Sequence, residues 1–191
     1  MAYEDFATKA SIVLAYTGEG KGKTSASVGL LARALGRGWK VAYIQFIKTW
    51  DTGESLFIKK LIKSGVFAEQ ITYHLGGKGF YNAGDISAKD VTETEHKNAA
   101  ESTYKLAYKC VAGGKYDLVI CDEINNAVHD RLLSVDQLVK LIKDKTTTTS
   151  LCVTGRDFPN ELLDLVDIAT NMTKIRHHFD DKFLANKGID F

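Results

Sequence analysis

The sequence predicts an α/β fold in which helices cover both faces of a parallel sheet. Short apolar runs of strand length alternate along the chain with longer segments of helical periodicity, and this alternation is typical of parallel sheets covered by helices. The chain has 191 residues, 45% of them hydrophobic, and a single proline, Pro159. We therefore expect residues 1–191 to form one domain without a flexible linker.

The predicted strands are short apolar runs, most of them rich in Val, Ile and aromatic residues. In chain order they cover residues 11–16, 40–46, 70–75, 117–122, 150–154 and, with the weakest pattern, 168–172. The predicted helices cover residues 24–35, 54–63, 90–112, 135–143 and 161–166. The longest predicted loop, residues 76–89, is rich in glycine and contains aromatic residues, and long loops of this kind are usually functional.

Charge and cysteine usage narrow the classes of function. The chain carries 25 Lys and Arg against 24 Asp and Glu, a net charge of +1, which provides no overall field for nucleic acid or an anionic membrane. No apolar run approaches the length of about 20 residues that spans a bilayer. The start, MAYEDFATKA, lacks a signal-peptide layout, and the 3 cysteines have no paired spacing. We expect a cytoplasmic protein without a nucleic-acid or membrane partner.

The strongest functional motif is TGEGKGKT, residues 17–24, which lies between a predicted strand and a predicted helix. Its glycines let backbone N–H groups converge on a phosphate, and the N-terminus of the following helix adds positive charge. Lys23 supplies a mobile cation and the Thr24 hydroxyl a ligand for Mg²⁺, although Thr17 stands where the usual GxxxxGK[ST] spacing has glycine. The residues of this phosphate loop expected to contact ATP are Gly18, Glu19, Gly20, Lys21, Gly22, Lys23, Thr24 and Ser25.

An acidic pair follows the fourth predicted strand, in the sequence LVICDE at residues 118–123. In proteins with a phosphate loop, an acid at the end of a neighbouring strand holds the metal, and many ATPases keep a water-activating residue beside it. Acids at strand ends also serve as helix caps or surface pairs, but the phosphate loop favours the metal interpretation. Thr24, Asp122 and Glu123 are therefore the expected ligands of Mg²⁺ or Mn²⁺. These motifs leave open which bond of a nucleoside triphosphate breaks.

Five segments of the chain, taken in order, carry a resemblance to a known family. They are TGEGKGKT, KVAYIQFIKTWDTGE (residues 40–54), CDEINNA (121–127), TGRDFPNELLDLVD (154–167) and HHFDDKFLANKGIDF (177–191). Together they resemble the ATP:corrinoid adenosyltransferase family, whose own phosphate loop also lacks the first glycine. The resemblance extends from residue 11 onward and is weak only between residues 55 and 115.

This resemblance implies a RecA-like P-loop NTPase fold and a particular reaction. In the family, Co(I) of a reduced corrinoid attacks the 5′ carbon of ATP, which gives adenosylcobalamin or adenosylcobinamide and triphosphate. Because an attacking metal carries no proton, no general base is required. Lys23, Thr24 and Arg156 are the implied catalytic residues, and the planar fork of Arg156 suits the triphosphate. A homodimer and an electron-donating reductase such as a flavoprotein are the implied partners.

The long loop contains the implied corrinoid contacts. Gly79 and Phe80 match family residues that lie over the corrinoid and help to expel its lower axial ligand. Asn82 stands two positions after Phe80, where the family often has tryptophan. At the end of the second predicted strand, Gln45 and Lys48 either reach the nucleotide cleft or only complete the strand.

Two further side chains, Glu19 and His177, have expected positions in the site. Glu19 replaces an asparagine often seen in the family's loop, and we expect it to pair with Lys21. His177 lies in a matched segment and is the histidine expected at the active site. The 5 histidines of the chain show no spacing typical of a zinc site.

Two alternatives to adenosyl transfer remain open at this point. A P-loop ATPase or kinase would transfer a phosphoryl group and release ADP, with Asp122 and Glu123 handling metal and water. A binding module would keep the fold and bind nucleotide or corrinoid without turnover.

Overall fold

A parallel sheet forms the centre of the fold in the computed structural model, which describes residues 6–81, 87–88 and 90–191. Its strands are β1 (Val13–Thr17), β2 (Val41–Gln45), β3 (Ile71–Leu75), β4 (Leu118–Asp122), β5 (Ser150–Thr154) and β6 (Ile168–Asn171). They lie in the order β3-β2-β4-β5-β1-β6, and every neighbouring pair is parallel. The predicted strands are confirmed, with small differences at their ends.

Helices connect the strands and cover the sheet. They are α1 (Lys23–Gly36), α2 (Gly53–Lys63), α3 (Glu93–Ala112), α4 (Ile124–His129) and α5 (Val135–Lys143), with 3-10 helices over Asn160–Leu165 and His178–Asp181. Thr52, Thr92 and Ser134 begin α2, α3 and α5 with capping boxes, which satisfy otherwise free N–H groups at the helix start. The cap at Thr92 explains why α3 begins later than residue 90, the predicted start. Within the described residues, no helix has the length and apolarity needed to cross a membrane.

Two segments differ from the prediction. The sequence pattern does not reveal α4, because its 6 residues are too few to show helical periodicity. The helix predicted over residues 161–166 is instead a 3-10 helix, which begins directly after Pro159. Short 3-10 turns of this kind are common as connectors between regular elements.

Alternate residues of the strands pack on opposite faces of the sheet, as the period of two in a strand requires. Ala42 and Ile44 of β2 belong to the apolar cluster that includes residues of α3 and α5, whereas Val41 and Tyr43 belong to the cluster that includes residues of α1 and α2. The helices therefore cover both faces, and the carboxyl ends of the strands are the place where such a sheet binds ligands.

Ile120 lies at the centre of β4 with no exposed surface. The variant Ile120→Ala should lower the free energy of unfolding by about 2–5 kcal/mol, because it removes buried apolar contacts and leaves a cavity. Urea denaturation followed by circular dichroism measures this change. Val66→Ala is the control, because Val66 is 68% exposed, and its effect should stay below about 0.5 kcal/mol. An equal decrease in the free energy of unfolding in the two variants would contradict the burial of Ile120 in the core.

Candidate functional site

The phosphate loop connects β1 to α1, and its backbone conformation requires glycine near both of its ends. Gly18 and Gly22 have φ values of 98° and 109°, in the left-handed region that favours glycine. A Cβ on Gly18 would also lie 2.6 Å from the carbonyl oxygen of Met172, which is shorter than any normal contact. The loop therefore lies directly against the chain that follows β6.

Lys23 folds back into this loop. Its Nζ donates to the carbonyl oxygens of Gly18 at 2.5 Å and Gly20 at 2.7 Å. Burial, assisted by the nearby Arg156, lowers the pKa of Lys23. The ammonium thus lies at the centre of the loop, where a phosphate group would meet it.

Only some of the backbone N–H groups of the loop are free to converge on a phosphate as the sequence predicts. The N–H of Gly20 donates to the carbonyl oxygen of Met172 at 2.6 Å, so it faces the chain after β6 and does not converge on a phosphate with the others. At the start of α1, the N–H groups of Lys23, Thr24 and Ser25 have no acceptor within the helix. These first-turn groups are the anion-binding end of α1.

Asp122 joins the ends of several elements. Its carboxylate is fully buried. Oδ1 accepts hydrogen bonds from the hydroxyls of Thr24 at 3.0 Å and Thr154 at 2.7 Å. Oδ2 accepts from Gln45 Nε2 at 2.9 Å and Lys48 Nζ at 3.1 Å. Asp122 therefore connects β4 with β5, with the end of β2 and with the start of α1, and it brings two of the expected metal ligands, Thr24 and Asp122, into contact.

Lys48 lies among carboxylates. Its Nζ is 2.9 Å from Glu54 Oε1 and 3.6 Å from Glu123 Oε1, in addition to its contact with Asp122. Burial opposes the charged form of Lys48, but these carboxylates outweigh it and raise the pKa above its usual value. Burial likewise opposes ionisation of Glu54, and the Lys48 ammonium outweighs it and lowers the pKa of that carboxyl group. Of the two uses left open for Gln45 and Lys48, the structure shows both reaching the cleft.

Glu123 stands between β4 and α4 in a left-handed conformation with a φ of 63°. Its N–H donates to the Thr154 hydroxyl at 2.9 Å, which fixes this unusual backbone. Burial raises the pKa of Glu123 to about 7, although the Lys48 ammonium acts in the opposite direction. Its Oε2 is buried without a hydrogen-bond partner. A ligand that offers positive charge would satisfy this oxygen.

The expected metal ligands form an oxygen set that suits Mg²⁺. They are the Thr24 hydroxyl, the Asp122 carboxylate and the unpartnered oxygen of Glu123. Among the residues that the structure describes, no group of three or more His, Cys, Asp or Glu side chains is arranged to hold a metal. Mg²⁺ usually binds through one or two carboxylates together with the phosphates of its substrate. The residues therefore fit a metal that arrives with a nucleotide.

Arg156 follows β5 at a turn that requires glycine. Gly155 has a φ of 133°, and a Cβ there would lie 2.8 Å from the Cβ of Asn125. The N–H of Arg156 donates to Asn126 Oδ1 at 2.7 Å, so α4 positions the turn. The guanidinium extends to the phosphate loop, where its Nε lies 3.7 Å from Glu19 Oε2.

The expected pair of Glu19 with Lys21 is wrong. Glu19 faces Arg156, and Lys21 Nζ lies 3.6 Å from Asp190 Oδ1 near the end of the chain. The cause is the return of the last residues toward the loop, which local sequence does not reveal. His177 accepts a hydrogen bond from the N–H of Phe179 and begins the last 3-10 helix, so its observed contact is a helix cap.

The expected corrinoid residues lie on the loop after β3. The N–H of Gly79 donates to the carbonyl oxygen of Ile47 at 2.9 Å, which attaches this loop to the end of β2. The ring of Phe80 contacts the ring of Trp50, with centroids 4.9 Å apart. Asn82 lies outside the described residues.

Sequence reasoning missed several members of the site. Glu54, Thr154 and Trp50 were not identified, although Thr154 ends β5, Glu54 lies in the first turn of α2, and Trp50 lies between β2 and α2. In a parallel sheet those positions gather at one edge. That rule is the signal that would have found them.

The fold and the site define a protein of the P-loop class, in which a lysine and a threonine follow one strand and the threonine hydroxyl bonds to an aspartate at the end of another. The fold resembles the crystal structure of the flagellar accessory protein FlaH from Methanocaldococcus jannaschii, with a TM-score of 0.52 at 15% identity over 85% of this chain and 71% of that one. The similarity supports the predicted α/β fold with a parallel sheet between helices.

Residues 9–191 match the family model of the ATP:corrinoid adenosyltransferases BtuR/CobO/CobP. The chain therefore belongs to the ATP:corrinoid adenosyltransferase family, and its activity is that of a corrinoid adenosyltransferase. It is 33% identical to the corrinoid adenosyltransferase of Pseudomonas aeruginosa, over 94% of this chain and 83% of that protein. It is 29% identical to the corrinoid adenosyltransferase of Escherichia coli, over 94% of this chain and 85% of that protein.

The variant Asp122→Asn should lower the free energy of unfolding by about 3 kcal/mol, because it removes one partner of a buried ion pair. Whichever way the new amide turns, its NH2 group replaces an oxygen that accepted two hydrogen bonds. Chemical denaturation measures the loss. Asp164→Asn, at an exposed carboxylate, is the control, with an expected change below about 0.5 kcal/mol. Equal stability of Asp122→Asn and the control would show that this carboxylate does not connect the site.

Proposed function

We propose that this corrinoid adenosyltransferase binds the triphosphate of ATP in its phosphate loop and releases it whole, while Co(I) of the corrinoid attacks the 5′ carbon. The new bond joins cobalt to C5′, and the bond that breaks joins C5′ to an oxygen of the α-phosphate. Cobalt supplies the electron pair of the new bond and is oxidised to Co(III). The electron pair of the broken bond leaves with the triphosphate, so no proton needs to be removed.

The observation that carries this proposal is the position of Lys23 inside the loop, bonded to the carbonyl oxygens of Gly18 and Gly20. From there the ammonium faces the place of the leaving group, where negative charge grows in the transition state. Fixed donors aimed at developing charge are usually the largest contribution to catalysis. Arg156, beside Glu19 at the outer side of the loop, supplies a second cation for the same charge.

The proposed metal site consists of Thr24, Asp122 and Glu123. Mg²⁺ or Mn²⁺ bound there would neutralise charge on the triphosphate. The unpartnered Glu123 oxygen and the hydroxyl of Thr24 support this assignment. In the same proposal, Ser25 and the remaining loop residues contact ATP through the first turn of α1.

The proposed corrinoid surface is the loop after β3, with Gly79, Phe80 and Asn82. The aromatic pair of Phe80 and Trp50 supports it, because a broad apolar ring system suits a flat macrocycle. Phe80 would lie against the face of the corrinoid from which the lower ligand departs.

The proposed setting is a reducing cytoplasm, with a homodimer and an electron-donating reductase such as a flavoprotein. The cysteines Cys110, Cys121 and Cys152 are free and buried, which agrees with a reducing compartment. Co(I) itself requires a reductant, and that is the chemical reason for the second partner.

Hydrolysis of ATP is the second candidate reaction, and one observation favours it. The pKa of Glu123 near 7 would suit a general base. Against this, the chain belongs to the corrinoid adenosyltransferase family, whose reaction needs no general base.

The variant Lys23→Ala should lose about a hundredfold in the rate of adenosyl transfer, or about 3 kcal/mol, because one donor to the leaving triphosphate is removed. The rate is measured as formation of the light-sensitive cobalt–carbon product from ATP, Mg²⁺ and chemically reduced cob(I)alamin. Lys143→Ala removes an exposed lysine of α5 and should retain full activity. Full activity of Lys23→Ala would contradict the role of the loop.

The variant Phe80→Ala should lower the rate with corrinoid by about tenfold or more, because it removes an aromatic contact worth roughly 1.5–3 kcal/mol when buried. The affinity for ATP, measured by calorimetry, should stay unchanged. Phe57→Ala, at a ring 45% exposed on α2, is the control for loss of an aromatic side chain. A parallel loss of ATP affinity in Phe80→Ala would place Phe80 in the nucleotide site instead.

A further inference from the structure

The ammonium of Lys48 contacts all of the expected metal ligands at once. Its Nζ lies 3.3 Å from Thr24 Oγ1, 3.1 Å from Asp122 Oδ2 and 3.6 Å from Glu123 Oε1. These oxygens come from α1, from the end of β4 and from the residue after it. These oxygens therefore surround one position, as they would around a bound cation. The ammonium of Lys48 occupies that position.

Glu54 anchors this ammonium from a different element. Its Oε1 lies 2.9 Å from Lys48 Nζ, which is the shortest of the ammonium's ion-pair contacts. Glu54 stands in the first turn of α2, whose start is fixed by the capping box at Thr52. Lys48 is 8% exposed, and a buried charge needs such partners. Glu54 therefore gives the ammonium a partner that is not one of the expected metal ligands.

The charges of the cluster are unequal. With all groups ionised, the carboxylates of Asp122, Glu123 and Glu54 outnumber the single ammonium of Lys48 by two charges. A divalent cation would balance that excess. It cannot lie between these carboxylates together with the ammonium, because like charges a few ångströms apart in a buried site repel strongly.

We propose that Lys48 is a positioning residue whose ammonium holds the carboxylates of Asp122 and Glu123 together and competes with a divalent cation for them. This inference rests on the proposed metal site. Its consequence is that a metal ion alone binds weakly, whereas a metal that arrives with ATP gains phosphate ligands and replaces the ammonium. The flexible stem of Lys48 then lets the ammonium withdraw toward Glu54.

The test is the affinity for Mn²⁺ alone, measured in the full chain by electron paramagnetic resonance of the free ion. The double variant Lys48→Met/Glu54→Gln removes one positive and one negative charge, so it clears the position without changing the net charge of the cluster. We expect it to bind Mn²⁺ at least about tenfold more tightly than the unmodified protein. Glu54→Gln alone keeps the ammonium and should show no gain.

Equal Mn²⁺ affinity in the double variant and the unmodified protein, with both folded by near-ultraviolet circular dichroism, would overturn the proposal. If the double variant does not fold, Lys48→Gln/Glu54→Gln takes its place, because it also keeps the net charge of the cluster and its amide at position 48 can still donate to Asp122, and the same gain is expected. A purely structural lysine would change stability in these variants and leave Mn²⁺ affinity unchanged.

A parallel titration with ATP present separates this proposal from the proposed function. Binding of Mn²⁺ with ATP to the unmodified protein, together with no gain in the variants, would refute only the role of Lys48. If Mn²⁺ binds no more tightly in the presence of protein and ATP than in the presence of ATP alone, the proposed metal site and the role of Lys48 are both wrong.

Discussion

The geometry of the site depends on one buried carboxylate, that of Asp122. Its oxygens accept hydrogen bonds from Thr24 and Thr154 on one side and from Gln45 and Lys48 on the other. A buried charge is stable only when its partners hold it from several directions. The ends of three strands and the first turn of α1 are therefore fixed relative to one another before any ligand is considered.

The cationic side chains of this site lie in two places, along the phosphate loop and among the carboxylates. Lys23 and Arg156 lie along the phosphate loop, and in the proposed function they stabilise the charge of the leaving triphosphate. Lys48 lies on the acidic side, where it balances Asp122 and its neighbours. A proton acceptor is not needed on either side, because the nucleophile is a metal centre of the substrate.

The phosphate loop, its flanking elements and part of the site could be predicted from the sequence, because short motifs define them. The strand before TGEGKGKT, the helix after it and the pairing of Thr24 with Asp122 follow from motifs whose mechanism requires that context. Lys48 stayed undecided because its role depends on β2 lying beside β4 and on Glu54 from the next helix. The pairing of Glu19 was wrong because the end of the chain returns to the loop and occupies Lys21. Strand order and chain return are long-range facts that no local pattern contains.

The most direct measurement is an anaerobic reaction with ATP, Mg²⁺ and cob(I)alamin in which the phosphate products are identified by phosphorus NMR and the corrinoid by its visible spectrum. Adenosyl transfer predicts one equivalent of intact triphosphate for each light-sensitive cobalt–carbon bond formed. Accumulation of ADP and phosphate while the corrinoid stays unalkylated would contradict it and would assign the phosphate loop and Glu123 to hydrolysis.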